Sequence, residues 1–158
     1  MGRPYSFFPD KVIITMCGIS GLYSSSLSPI ELRDSIELMS STLFHRGPDS
    51  YGSFIDQPCG VALAHRRLSI LDLSDLGSQP MLSVCGRYVI TFNGEIYNHK
   101  SLRRQLPSSL ELKSSSDTET LVNLISYCGF VPTLSMISGM FAFCVWDKVE
   151  KCLLLARD

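Results

Sequence analysis

Four clusters of polar residues interrupt an otherwise apolar chain, and each carries groups able to do chemistry. They are Met16-Cys17-Gly18-Ile19; His45-Arg46-Gly47-Pro48-Asp49 together with His65-Arg66-Arg67; Asn93-Gly94-Glu95; and residues 114–120 around Asp117. A cysteine is a nucleophile only as its thiolate, and an unperturbed thiol titrates near pH ~8.5, so Cys17 needs help at neutral pH. Taken singly, each cluster also has a plain structural reading. Asp117 suits the first turn of a helix, where the dipole favours an acid. Asn93-Gly94 is a strong hairpin-turn signal, and Arg66-Arg67 reads as a solvated pair. His45, His65 and His99 lack metal-ligand spacing with one another or with any cysteine, and no CxxC occurs, so no metal site is expected.

The elements that must position these residues follow from patterning. Ser28 and Glu31 spell a capping box with Pro29 at the first helical position, and Leu32, Ile36, Met39 and Leu43 recur at helical spacing as the buried face. Gly47 and Pro48 break that helix. Residues 61–73 read as strand material and 74–80 as loop. Residues 87–93 alternate as a strand, which Gly94 ends. A second capping box, Ser116 to Glu119, opens a helix whose core face is Leu121, Leu124, Ile125 and Cys128, with Gly129 as C-cap. Residues 139–147 are apolar on both alternating faces, as in a strand covered on both sides. Residues 152–158 begin one more strand. Strands of both kinds with one-faced helices indicate a layered α+β domain, sheets packed together with helices outside.

Composition bounds the rest. The chain has 158 residues, 45% hydrophobic, with 14 basic and 15 acidic side chains and a net charge of -1. A chain of about 150 residues buries roughly 70% of its unfolded surface, enough for one core. The charge balance leaves no electrostatic footprint for nucleic acid. No apolar run approaches the ~18 residues of a membrane span. Residues 1–16 hold only the short run Val12-Ile13-Ile14, too little for a secretory signal. The six cysteines are read as reduced, and the protein as cytoplasmic.

Read together and in order, the clusters resemble a family. "MCGISG", "HRGPDSYG", "AHRRLSILDL", "QPM", "FNGEIYNH", "SDTETL", "GMFAF" and "LARD" are similar to the glutaminase domain of glutamine-dependent asparagine synthetases, which are class II glutamine amidotransferases. The resemblance covers Met16 to Asp158. It implies an N-terminal-nucleophile fold: four αββα layers, two stacked antiparallel sheets with outer helices, here C-terminally incomplete.

It also implies a reaction. A carboxamide is a poor electrophile, so its hydrolysis demands a strong nucleophile, Cys17. In this family the base is the free α-amine of the same cysteine, with a pKa near ~7.7–8.0. A peptide nitrogen cannot serve, because resonance holds its lone pair. The resemblance implies an oxyanion hole of the Asn93 side-chain amide and the Gly94 backbone N–H. Arg67 would bind the glutamine α-carboxylate with two parallel hydrogen bonds, Ile70 and Leu71 would hold the same end through backbone groups, and Glu95 and Asp117 would sit near the ammonium. Arg66 is expected to be dispensable. Residues 45–49 would shape a loop over the site, with no proton transfer assigned to His45. The product is glutamate plus ammonia through a cysteinyl thioester, without metal or organic cofactor in this domain.

In the whole family enzyme a synthetase domain takes the ammonia and uses ATP and magnesium to amidate aspartate. Its nucleotide loop is not found in this sequence, which is read as a truncated amidotransferase domain over residues 17–158. Residues 1–16 are read as an N-terminal extension, either a misassigned start or a removed segment. Two other readings stand beside this one: a non-catalytic glutamine-binding relic with Cys17 blocked by the extension, and a related amidotransferase with another acceptor. The partners expected are glutamine and the synthetase domain, with no nucleic acid and no membrane. A homodimer is kept as an assembly to test.

Overall fold

The computed structural model describes residues 17–68 and 77–158. In chain order these form β1 (Gly18–Tyr23), α1 (Pro29–Thr42), β2 (Ser50–Asp56), a single 3-10 turn (Gln57–Cys59) and β3 (Val61–Arg67). Then follow β4 (Met81–Leu82), β5 (Tyr88–Ile96), α2 (His99–Arg103), α3 (Asp117–Cys128), α4 (Phe130–Met136), β6 (Gly139–Asp147) and β7 (Cys152–Arg157). One sheet has the order β1-β3-β2 and the other β4-β5-β6-β7, all neighbours antiparallel. Two antiparallel sheets and four helices among the described residues make a mixed α/β fold, compatible with an N-terminal-nucleophile architecture.

The alternation of side chains along each strand sorts the core into three parts. Val61 and Leu63 of β3 meet Val89 of β5 and Cys144 and Trp146 of β6 between the sheets. Ala62 and Ala64 turn the other way, onto Leu32 and Ile36 of α1. Ile90, Phe92 and Ile96 of β5 face Leu121, Leu124 and Ile125 of α3. Polar bonds also tie the sheets. Thr91 Oγ1 donates to the Ala64 carbonyl at 3.2 Å, and Trp146 Nε1 donates to Asp56 Oδ2 at 3.0 Å.

Helix α1 begins as its sequence dictates. The Ser28 side chain accepts from Glu31 N–H, and Glu31 Oε2 accepts from Ser28 N–H at 2.8 Å. Its buried face is Leu32, Ile36 and Ser40 rather than Leu32, Ile36, Met39 and Leu43, and Met39 is exposed. Ser40 is turned inward because Arg66 Nε donates to its carbonyl and its hydroxyl, at 3.2 and 3.1 Å. The second capping box is half made. Ser116 accepts from Glu119 N–H at 3.1 Å, but the Glu119 carboxylate reaches outward to the amides of Lys113 and Ser114, at 2.7 and 2.8 Å.

Three further expectations are corrected. Gly94 does not end its strand, because β5 runs through it to Ile96 with register kept against β6. The hairpin reading of Asn93-Gly94 falls with it. Gly94 takes φ +148, and a Cβ there would run into the Met140 carbonyl oxygen and stand 2.6 Å from Phe141 Cα. Glycine here permits a close backbone approach inside a strand rather than a turn. Of the expected strand over 61–73, β3 takes Val61–Arg67 and Leu68 is outside it, while residues 69–73 lie outside the described residues. Finally, β2, α2 and α4 lie in segments that patterning left as connections.

Candidate active site

Cys17 stands immediately before β1. Gly18 pairs with Arg66 and Ile19 with His65, so Cys17 falls one step further, level with Arg67. Residues opposite each other in an antiparallel pair share a face. Val61 and Leu63 point between the sheets, so His65 and Arg67 continue that row, and Cys17 joins it. On β5 the row between the sheets is Val89, Thr91, Asn93 and Glu95. The contacts of Val61 and Leu63 with Val89, and of Ala64 with Thr91, show that β3 and β5 advance in the same direction. Arg67 and Asn93-Gly94 therefore emerge at the same end of the sandwich as Cys17.

The surroundings of Cys17 are polar and partly open. Its Sγ accepts from the Leu68 N–H at 3.5 Å, and its carbonyl accepts from Arg46 Nε at 3.3 Å. Cys144 provides a contrast. Burial between the sheets pushes its thiol up to about 11, so it stays protonated at neutral pH. Six free thiols are present, and this pair shows how differently two can be placed.

The edge of β5 carries the most telling geometry. In an antiparallel ladder successive amides face opposite neighbours. The amides of Asn93 and Glu95 turn toward β6, and those of Phe92, Gly94 and Ile96 turn away from it. The Phe92 N–H is met by Gln79 Oε1 at 2.6 Å, and the Ile96 N–H by Asp117 Oδ2 at 2.9 Å. The Gly94 N–H between them has no hydrogen-bond partner among the described residues. An aligned donor with capped donors on either side, beside the Asn93 side chain, is where an oxygen atom of a ligand can dock.

Asp117 is both a first-turn acid of α3 and a strut of this edge. Its other oxygen accepts from Thr118 N–H at 2.8 Å. Each carboxylate oxygen accepts more than one bond, so capacity for a cation remains. Glu95 lies next to Gly94 and is exposed. The Arg67 guanidinium lies against Gly77, where a Cβ would stand 3.1 Å from Nη2. Ile70 and Leu71 lie outside the described residues, as does the segment 1–16.

Arg66 is corrected from a solvated side chain. Alternation turns it toward α1, where it bonds Ser40 and stacks its guanidinium 4.9 Å from the Tyr51 ring and 5.7 Å from Phe44. It clamps the turn carrying residues 43–49. Gly47 is pressed so closely on the Arg66 backbone that a Cβ would stand 2.7 Å from the Arg67 nitrogen.

His65 is 3% exposed, and its Nε2 has no hydrogen-bond partner among the described residues. Burial pulls its pKa down to about 4, against a smaller opposing pull from the Phe92 backbone, so the ring is neutral at physiological pH. No role attaches to His65 or Gln79 in the sequence. The signal for Gln79 is its place in the "QPM" stretch, and for His65 its place in the "AHRRLSILDL" stretch.

The family of glutamine amidotransferase domains matches residues 16–158. The chain belongs to that family. Asparagine synthetase B [glutamine-hydrolyzing] of Escherichia coli (strain K12) is 35% identical over 143 residues, which is 90% of this chain and 25% of that protein. Asparagine synthetase [glutamine-hydrolyzing] 1 of Bacillus subtilis (strain 168) is 38% identical over 147 residues, 90% of this chain and 22% of that protein. Amidase chry2 of Gibberella zeae is 34% identical over 152 residues, again 90% and 22%. The chain thus spans about a quarter of the length of the curated relatives it matches. Among the described residues, no helix is long and apolar enough to cross a membrane, and no group of three or more His, Cys, Asp or Glu could hold a metal ion.

Proposed function

We propose that this amidotransferase domain hydrolyses glutamine to glutamate and ammonia through a thioester on Cys17. The thiolate adds to the side-chain carbonyl carbon, forming the S–C bond and moving an electron pair onto oxygen. That oxyanion is received by the Gly94 N–H and the Asn93 side-chain amide. As the C–N bond breaks, the Cys17 α-amine, protonated by the thiol, gives its proton to the departing nitrogen, and ammonia leaves. Water then attacks the thioester, with the same amine as base, and glutamate is released. Arg67 takes the α-carboxylate, with the backbone of Ile70 and Leu71 beside it, and Asp117 and Glu95 take the ammonium.

One observation carries this reading: the partnerless Gly94 N–H, flanked by amides capped by Gln79 and Asp117, at the end of the sandwich where Cys17 and Arg67 emerge. A donor of this kind typically lowers a barrier by about 2.7–4 kcal/mol.

The finer fold proposed is the four-layer αββα arrangement, with residues 17–158 as the amidotransferase unit. The wider partner is a synthetase domain that consumes the ammonia to amidate aspartate, with ATP and magnesium bound there and the whole protein in the cytoplasm. No step above runs through a metal ion. The amidase name of the Gibberella zeae relative favours a second reading in one respect, namely an acceptor other than aspartate.

The test uses protein expressed from Met16, with mass spectrometry reporting whether Cys17 is its first residue. Ammonia and glutamate should appear in equal amounts from glutamine, and Cys17→Ala should abolish both. Undiminished turnover in Cys17→Ala, or an inactive protein that does begin at Cys17, overturns the proposal.

A further inference from the structure

The edge of β5 is held by side chains from two other parts of the chain, and one of them belongs to no step above. Gln79 Oε1 accepts from the Phe92 N–H at 2.6 Å, and Gln79 Nε2 lies 3.3 Å from Thr118 Oγ1 at the start of α3. A backbone N–H can be met only by an acceptor, so the orientation of this amide is determined. The Gln79 backbone is wedged as well. Gly52 of β2 faces it so closely that a Cβ there would run into the Gln79 carbonyl oxygen and stand 3.1 Å from its carbon. Gln79 is therefore a junction of β2, β5 and α3, and so of both sheets and a helix. His65 abuts the same stretch of β5 from the first sheet through the Phe92 backbone.

We propose that Gln79 is a positioning residue for the amide-cleaving site: it sets the Asn93-Gly94 donors against Asp117 by holding Phe92 on one side and Thr118 on the other. This rests on the proposed glutamine hydrolysis. Its physical content is alignment. The Phe92 peptide leads directly into Asn93, and the capped amides on either side of Gly94 are held by Gln79 and by Asp117, whose own neighbour Thr118 is the second partner of Gln79. Without Gln79 the Phe92 N–H loses its acceptor, and one support of the Gly94 donor is gone while the other stays. The site would still bind glutamine through Arg67 and Asp117. It would hold the oxyanion in a poorer position, and a displacement of about 1 Å can cost about 100-fold in rate.

The experiment measures steady-state glutamine hydrolysis by protein that begins at Cys17, per mole of Cys17 alkylated by a glutamine-shaped diazoketone. Gln79→Ala should lower kcat about 10- to 100-fold with KM within about threefold of the parent. Gln79→Glu keeps an oxygen for the Phe92 N–H and can accept the Thr118 hydroxyl proton, so it should recover most of the lost kcat. Thr118→Val removes only the far end of the bridge and should lower kcat about three- to tenfold; it also decides the matter if Gln79→Ala does not fold. An unchanged kcat per alkylated site in Gln79→Ala, no recovery in Gln79→Glu, or unchanged kcat in Thr118→Val overturns the proposal. Cys17→Ala serves as control: if it still hydrolyses glutamine, the reading of the site itself has failed, whatever Gln79 does.

Discussion

Arg67 and His65 occupy the same face of one strand and differ in charge. The Arg67 guanidinium is a permanent cation that suits a carboxylate, and a charge-assisted hydrogen bond contributes about 1.5–3 kcal/mol. Arg67→Ala should therefore raise the KM for glutamine by about 10- to 100-fold and change kcat far less; a normal KM removes the assigned role. His65 is neutral because burial holds its pKa near 4, below its ordinary 6.5. The unfolded chain takes up this proton more readily than the folded one, so acid favours unfolding. Its contribution is complete above pH ~6.5 and is lost as the pH falls toward about 4, on the order of 3 kcal/mol in all. Chemical denaturation at pH 7 and pH 4.5 should show a smaller difference for His65→Gln than for the parent. An unaltered difference would contradict the assignment.

At the scale of elements, β5 depends on glycine for its course and α1 depends on Arg66 for its seat. Gly94→Ala places a Cβ against the Met140 carbonyl in a backbone region that side chains rarely adopt. Such strain costs about 1–3 kcal/mol, and the displaced strand would lose its aligned donor. Thermal unfolding should report the loss of stability, and glutamine hydrolysis should fall below about one per cent. Arg66→Ala takes the Arg66 donor from the Ser40 hydroxyl and carbonyl, the carbonyl keeping only the Leu43 N–H, and removes two ring contacts. A loss of about 1–3 kcal/mol is expected by urea denaturation. A substitution that left stability unchanged would return Arg66 to the role of a solvated side chain.

Across the whole molecule, the two sheets are joined at two levels with different consequences. Thr91 to Ala64 ties them close to the site, and Trp146 to Asp56 ties them at the far end. Trp146 is 1% exposed and its ring fills the space beside Val61, Leu63 and Val89. Trp146→Phe removes the indole donor and part of that volume, and should cost about 1–3 kcal/mol. Because the damage lies away from the proposed catalytic end, the KM for glutamine should stay within about twofold of the parent; a large KM change would mean that the two ends are mechanically coupled.

Much of this arrangement could be read from local pattern. The Ser28 cap, the Gly129 terminus, Leu32 and Ile36 of α1, the apolar face of α3 and the double coverage of β6 depend on neighbours a few residues away, and such short-range physics is written in the order of residues. The candidate nucleophile, the Asn93-Gly94 pair and Arg67 were also legible, because their wording matches a family. What order alone could not convey was which amide lacks a partner. Asn93-Gly94 has the chemistry of a turn, and it is kept in a strand by the unbroken register of β5 against β6, which sets the Met140 carbonyl where a side chain would sit. Gln79 and His65 lie in matched stretches, but nothing beside them in the chain tells their contacts, since their partners lie 13 and 27 positions away. Only the packing of one sheet on the other, and of α3 beside β5, brings those groups to the same few ångströms.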